Sequence, residues 1–283
     1  MRWHLTRRGF VLGGVAAACY GADTPACTLV TEQEVGPYYI DDRKLRRDIT
    51  EGRPGLPLNL RVTIVDSRTC EPLPNAAVDI WHCDALGLYS GFTANSPDGG
   101  PGGGPGRRGP GGPPPPGFGP GPGGPPPGSG GRRGPGPARI TDATRFLRGV
   151  QLTGRNGVAE FATLYPGWYS GRTIHIHLKV HLGGTPGETY TGGHISHTGQ
   201  LFFPEEVTEE VAHLEPYANR LAVHRTTQAE DGIFLGQHGS SKMLRLDRLK
   251  KGTNAGGFLA GITLALDPEA TPAPVGMQGR APE

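Results

Sequence analysis

From residue 56 the chain alternates apolar and polar positions, with Leu56, Leu58, Leu60, Val62 and Ile64 separated by Pro57, Asn59, Arg61 and Thr63. Successive strand side chains point to opposite faces, so the pattern predicts a half-buried strand over residues 56–64. Turn formers at Asp66, Ser67, Pro72, Pro74 and Asn75 end it. A β-rich run from Ala76 to Cys83 follows, and Gly87 bends the chain toward Tyr89. Residues 146–152 and 158–164 flank Gly154-Arg155-Asn156-Gly157, and Asn-Gly between β-rich runs predicts a hairpin. Ile174, Ile176, Leu178 and Val180 alternate again, as do Phe258, Ala260, Ile262, Leu264 and Leu266. One helix is predicted after Pro204, where Val207, Val211 and Leu214 recur at i, i+4 and i+7. The class is therefore all-β: a β-sandwich of mostly antiparallel strands with a short helix and long loops.

The strand over residues 174–180 carries the chemistry on its second face. Its aliphatic side anchors it in a core, while His175 and His177 share the other side, close enough to hold one ion. The alternative is a pair of polar residues on a half-exposed strand. Neighbours favour the metal: Tyr165-Pro166-Gly167-Trp168-Tyr169 and Arg172 immediately precede the histidines. A phenol titrates near pKa ~10, so a tyrosine ligates as phenolate only on a strongly Lewis-acidic ion. Ferric iron suits such a hard anionic oxygen better than zinc, with Tyr165 and Tyr169 both in reach of the strand entrance.

Composition changes the picture in two places. Of the 283 residues, 48 are Gly and 29 Pro, and the excess is concentrated between about 97 and 139. So few apolar side chains cannot offset the entropy of ordering, which predicts a disordered insert, a spacer or an arginine-rich tether. The start of the chain has Arg7-Arg8, a short apolar run and an alanine run before Asp23. Residues 1–22 thus resemble a twin-arginine export signal, placing the mature protein in the periplasm or outside the cell. Lipid attachment at Cys19 is a lesser alternative. No segment outside the signal approaches the ~20 apolar residues of a transmembrane helix. Cys70 and Cys83 flank one turn-strand unit and are the expected disulfide, leaving Cys27 free or paired elsewhere. The formal charge is +2, but the export segment holds three arginines and no acid, and the insert holds five arginines and Asp98. The remainder is net acidic, at about −5, which excludes a nucleic-acid groove on the folded part.

Three motifs together resemble the intradiol ring-cleavage dioxygenases, the family of catechol and protocatechuate dioxygenases. They are Val78-Asp79-Ile80-Trp81-His82-Cys83-Asp84 running on to Tyr89, Tyr165-Pro166-Gly167-Trp168-Tyr169, and Arg172-Thr173-Ile174-His175-Ile176-His177. The resemblance runs from about Gly36 to Asp267, excluding the insert. It implies a non-haem Fe(III) held by Tyr89, Tyr169, His175 and His177, with Tyr169, Arg172 and Gln200 acting on the substrate. The implied partners are a catecholic small molecule and O2, with a second copy of the chain as a candidate for a homodimer. His82, His181, His194 and His197 are expected to be structural or surface residues. Only Ser170 and Gly171 separate Tyr169 from Arg172, which predicts an open mouth accepting bulky catechols. Two competing readings are a zinc or manganese hydrolase built on the His pair and a secreted β-sandwich binding module.

Overall fold

The computed structural model describes residues 27–98, 138–249 and 256–276. The predicted export signal, Cys19 and all but the ends of the predicted insert lie outside these described residues.

Among the described residues, eight strands form two four-stranded sheets. In chain order they are β1 (Pro57–Asp66), β2 (Ala77–Trp81), β3 (Arg148–Leu152), β4 (Val158–Leu164), β5 (His175–Thr185), β6 (Thr191–Phe202), β7 (Arg245–Arg248) and β8 (Phe258–Leu266). One sheet has the order β4-β1-β8-β7 and the other β3-β2-β5-β6. Every pairing is antiparallel except β1 with β8. The molecule is thus the expected all-β sandwich of mostly antiparallel strands.

The alternation in β1 and β5 builds the core. Leu58, Leu60, Val62 and Ile64 meet Ile176, Leu178 and Val180 in one cluster that also takes in Ile80, Phe161 and Leu264. Because β5 commits its aliphatic face to this core, His175 and His177 project from the outer face of the second sheet. That face is not bare. The segment preceding β1 crosses over it, with Tyr39 packed on Trp81 at 4.7 Å between ring centroids. Both histidines are buried as a result.

Two expectations need correction, and two strands show no pattern in the sequence. β6 and β7 were not legible as strands: Thr191-Gly192-Gly193-His194 and Arg245-Leu246-Asp247-Arg248 carry too few apolar residues to show an alternation. The helix α1 (Glu205–Ala212) ends before Leu214, which is exposed, and Pro216 soon after disfavours continuation. The disulfide joins Cys27 to Cys70, while Cys83 is a buried free thiol donating toward Gly167 O at 3.4 Å. Proximity in sequence misled, since the segment at Cys27 reaches the β1–β2 turn only through the fold.

This cross-link closes 43 residues, and the chain-entropy relation assigns such a loop about 4 kcal/mol. The Cys27→Ser/Cys70→Ser double variant should therefore unfold at lower denaturant, losing roughly 2–4 kcal/mol. An unchanged midpoint in urea titrations would contradict the pairing.

Candidate active site and metal centre

Two loops bring two phenols to the histidine pair. In the first, Asp84 folds a turn by accepting from the backbone N–H groups of Leu86 and Leu88, both at 2.9 Å, while Gly87 adopts φ +75°. The turn delivers Tyr89, whose own N–H donates to Ser96 Oγ at 2.8 Å. In the second, Gly167 N–H donates to Asp84 O at 3.0 Å, so the loop carrying Tyr169 rests on the loop carrying Tyr89.

The four side chains named from the sequence converge. Tyr89 Oη lies 3.5 Å from Tyr169 Oη, Tyr169 Oη 3.3 Å from His175 Nε2, and His175 Nε2 3.0 Å from His177 Nε2. All four residues are buried. Tyr165, the other phenol of the motif, lies elsewhere: its hydroxyl meets Thr208 Oγ1 at 2.7 Å in the core.

Donor chemistry tests whether an ion fits. His175 Nδ1 is 2.6 Å from the Thr173 carbonyl, which can only accept, so Nδ1 carries the proton and Nε2 presents its lone pair. Burial, reinforced by Arg172, pushes the His175 imidazole down to about 3, and burial pushes His177 well below its ordinary range. Both rings are thus neutral donors at neutral pH. The His177 ring lies face to face on Trp81, 5.0 Å between centroids and 3° between planes, and its buried Nδ1 has no partner. Burial raises both phenols, so an ordinary buried environment would keep them protonated. Donors sharing one ion at ~2.0–2.1 Å in a tetrahedral set lie roughly 3.3–3.5 Å from one another. The observed spacings are close to this, and two imidazoles with two oxygens that must ionise suit a trivalent ion. Among the described residues no group of three or more His, Cys, Asp or Glu could hold a metal. A zinc or manganese hydrolase would call for a carboxylate in such a group, and among the described residues this cluster offers phenols instead.

Arg172 and Gln200 stand beside this cluster. Gln200 is opposite His177 in the β5–β6 register, and its Oε1 accepts from Arg172 Nη2. Arg172 Nε donates to Asp231 at 3.0 and 3.2 Å.

The fold and geometry agree with comparisons to solved structures. The chain is similar to an intradiol ring-cleavage dioxygenase from Tetranychus urticae, at 29% identity and TM-score 0.65, over 88% of this chain and 98% of that one. A second solved dioxygenase is 30% identical with TM-score 0.64, over 87% of this chain and 98% of that one. The chain belongs to the intradiol ring-cleavage dioxygenases. No family model and no curated protein matches it. Membership favours the ring-cleaving enzyme over the binding module and the hydrolase.

Sequence reasoning missed several residues that shape this dioxygenase's site. Asp231 caps the short helix α2 (Gly232–Gly236), accepting from Ile233 N at 2.8 Å and Phe234 N at 3.2 Å, and also accepts from Thr173 N at 2.9 Å. One carboxylate thereby fixes a helix start, the entry to β5 and Arg172 together. Although burial works the other way, Arg172 and the Thr173 N–H hold Asp231 below the usual carboxylate range. Gln33 Oε1 accepts from Gln200 N at 2.8 Å, and Glu34 O accepts from Gln200 Nε2 at 3.0 Å. Gly36, at φ +70°, lies so near His177 that a Cβ would come within 2.8 Å of its Cε1. Tyr38 stacks on Tyr89 at 4.5 Å. No motif marks these positions, since they lie in irregular segments far from β5 in sequence.

Of the other histidines, His82 bridges Cys83 O and Thr163 Oγ1 in the core, His181 sits beside Asp79, and His194 meets Pro268 O. His197 is buried against Glu32. None joins the cluster, as expected. The insert's flanks also reach the site: Asp98 Oδ2 accepts from Ser170 N, and Ala138 N donates to Pro37 O at 3.0 Å.

Proposed function

We propose that the enzyme cleaves catechol-type rings between the two hydroxyl-bearing carbons with O2, yielding cis,cis-muconate-type diacids, and that Tyr89, Tyr169, His175 and His177 hold a non-haem Fe(III). The convergence of two buried phenol oxygens on two neutral imidazole nitrogens, within 3.5 Å contacts, carries this reading. When bound, ferric iron would supply the Lewis acidity that favours loss of the catechol hydroxyl protons and opens the ring to O2.

The chain's own residues do the rest. Tyr169 Oη accepts a proton from one catechol hydroxyl as general base. Arg172, with Nε fixed by Asp231 and Nη2 by Gln200, presents a pre-oriented cation to the negative charge that develops on the substrate as it ketonises. The Trp81 ring stacks on His177 and Gly36 packs close to its Cε1, which restricts the imidazole. With only Ser170 and Gly171 between Tyr169 and Arg172, the mouth admits substituted catechols, and turnover confined to unsubstituted catechol counts against that openness. We further propose that the protein acts after export, a reading supported by the paired arginines and by the Cys27–Cys70 disulfide, which suits an oxidising compartment.

The test is the visible spectrum of iron-quantified protein before and after anaerobic addition of catechol. A phenolate-to-iron band that shifts on addition, followed by diacid on admitting oxygen, is expected. Absence of the band at full iron occupancy would remove Tyr89 and Tyr169 as ligands.

A further inference from the structure

One row of residues crosses the outer face of the second sheet beneath the tyrosine–histidine cluster. Arg148 of β3 is opposite Trp81 of β2, Trp81 is opposite His177 of β5, and His177 is opposite Gln200 of β6. Directly opposed residues of antiparallel strands share a face, so all four project to the side that carries the cluster. Trp81, His177 and Gln200 already have a place in the site. Arg148 has none so far, yet it is only 3% exposed. Its Nε donates to Ser90 Oγ and its Nη2 to Ser90 O, both at 2.8 Å, one residue beyond Tyr89 in the chain. Its guanidinium lies 5.5 Å over the Phe92 ring, which belongs to the same aromatic cluster as Tyr89 and Trp81. Among the described residues its hydrogen-bond acceptors are all neutral, and Nη1 is buried with no partner. Arg172, by contrast, has Asp231 at 3.0 Å. A buried cation with no anion beside it is costly, and a nearby negative charge offsets that cost. Burial pushes Arg148 down to about 10, which leaves it charged at neutral pH; Tyr89 as an anion opposes that shift more than Asp42 or Asp79 does, while Arg145 adds to it.

We propose that Arg148 is a positioning residue of the metal centre, which holds the Tyr89 loop by Ser90 and sets a buried positive charge against the Tyr89 phenolate. This rests on the ligand set proposed above. Anchoring Ser90 calls for donors but not for a charge, so a neutral side chain would serve that purpose alone. The charge has a use once Tyr89 is a phenolate, because the two buried ions then compensate each other where no carboxylate does. The guanidinium also lowers the energy of the electrons on the phenolate oxygen. Moving one of those electrons to the ion then takes more energy, so Arg148 holds the phenolate-to-iron band at shorter wavelength. It acts through Tyr89 and does not touch the substrate.

The experiment compares Arg148→Gln, which keeps a donor and loses the charge, with Arg148→Lys, which keeps both, and with Ser90→Ala, which keeps the arginine and loses one anchor. Each full-length protein is loaded with Fe(III), its iron is quantified, its visible band is recorded, and its iron affinity is measured by competition with a chelator. Arg148→Gln is expected to move the band to longer wavelength and to bind iron ~10–100-fold less tightly. Arg148→Lys is expected to restore the wild-type wavelength. A wild-type wavelength in Arg148→Gln with iron affinity within about twofold of wild type would overturn the proposal. So would equal shifts in the Gln and Lys variants, which mark a packing effect. Ser90→Ala decides even where Arg148→Gln does not fold: it is expected to keep the wild-type wavelength, and a shift to longer wavelength there would credit the anchor and sink the role of the charge. A wild type with no phenolate band at full iron occupancy would instead remove Tyr89 as a ligand, and this proposal with it.

Discussion

Tyr169→Phe is expected to abolish ring cleavage while leaving the fold intact, and Tyr165→Phe to lower stability slightly while leaving turnover intact. The two phenols belong to one short motif, Tyr165-Pro166-Gly167-Trp168-Tyr169, and both are buried. Their hydroxyls face different partners: Tyr169 Oη is 3.3 Å from His175 Nε2, whereas Tyr165 Oη is 2.7 Å from Thr208 Oγ1. Removing the Tyr169 oxygen takes away a proposed ligand and the general base together. General bases alone contribute ~10²–10⁴-fold, so kcat should fall by at least ~10³-fold, about 4 kcal/mol of barrier, and the visible band should lose intensity. The Tyr165 hydroxyl makes a buried hydrogen bond worth about 1 kcal/mol to stability, and its loss should leave kcat within about twofold. Steady-state kinetics and urea titration on the two variants decide the matter. A Tyr169→Phe enzyme retaining a tenth of wild-type turnover with an unchanged spectrum would place the second phenolate elsewhere.

The same pair of tyrosines marks what the sequence could and could not reveal. Periodicity alone separated the two faces of β5, because its aliphatic residues alternate without a break from Ile174 to Val180. It could not decide between Tyr165 and Tyr169, because both precede the strand in a loop with no period. That choice needed the family motif, and the structure places only Tyr169 in the cluster. The disulfide failed for a related reason. Cys70 sits in a turn, and turns approach whatever the topology brings over them, here the segment starting at Cys27. β6 contributes Gln200 to the site yet gave no strand signal, since its first half is polar and glycine-rich.

The residues that sequence reasoning missed share a property. Asp231 holds Arg172 through its carboxylate, while Gln33 through its side chain and Glu34 through its backbone carbonyl hold Gln200, all from loops outside the four-residue cluster. Such positions have no spacing constraint of the kind that puts two histidines on one strand face. Their role follows from saturation of donors. Arg172 can be aimed only because two of its nitrogens are already fixed, and a guanidinium without Asp231 would keep its charge and lose its direction.

Gly167→Ala should damage the site severely. A Cβ on Gly167 would lie 2.4 Å from Ala85 O, 2.6 Å from Ala85 C and 2.7 Å from Asp84 O. All three are backbone atoms, so no side chain can swing aside, and relief requires the two loops to part. One of those loops delivers Tyr89 through the Asp84 turn, and the other carries Tyr169 two residues beyond the contact. Overpacking a well-filled site costs ~1–3 kcal/mol, and a clash against rigid backbone belongs at the top of that range, about 3 kcal/mol. The displaced phenols should cost more than stability does. A separation of only 1 Å takes both oxygens out of a set whose members are 3.0 to 3.5 Å apart, so iron retention should fall along with turnover. Gly261→Ala is the matched control: it lies in β8 with nothing within 4 Å of the added methyl, and should stay within about 1 kcal/mol of wild type. Iron content, melting temperature and turnover measured on both variants separate the outcomes. If Gly167→Ala keeps its iron and its activity, the contact between the two tyrosine loops does not set the geometry of the centre.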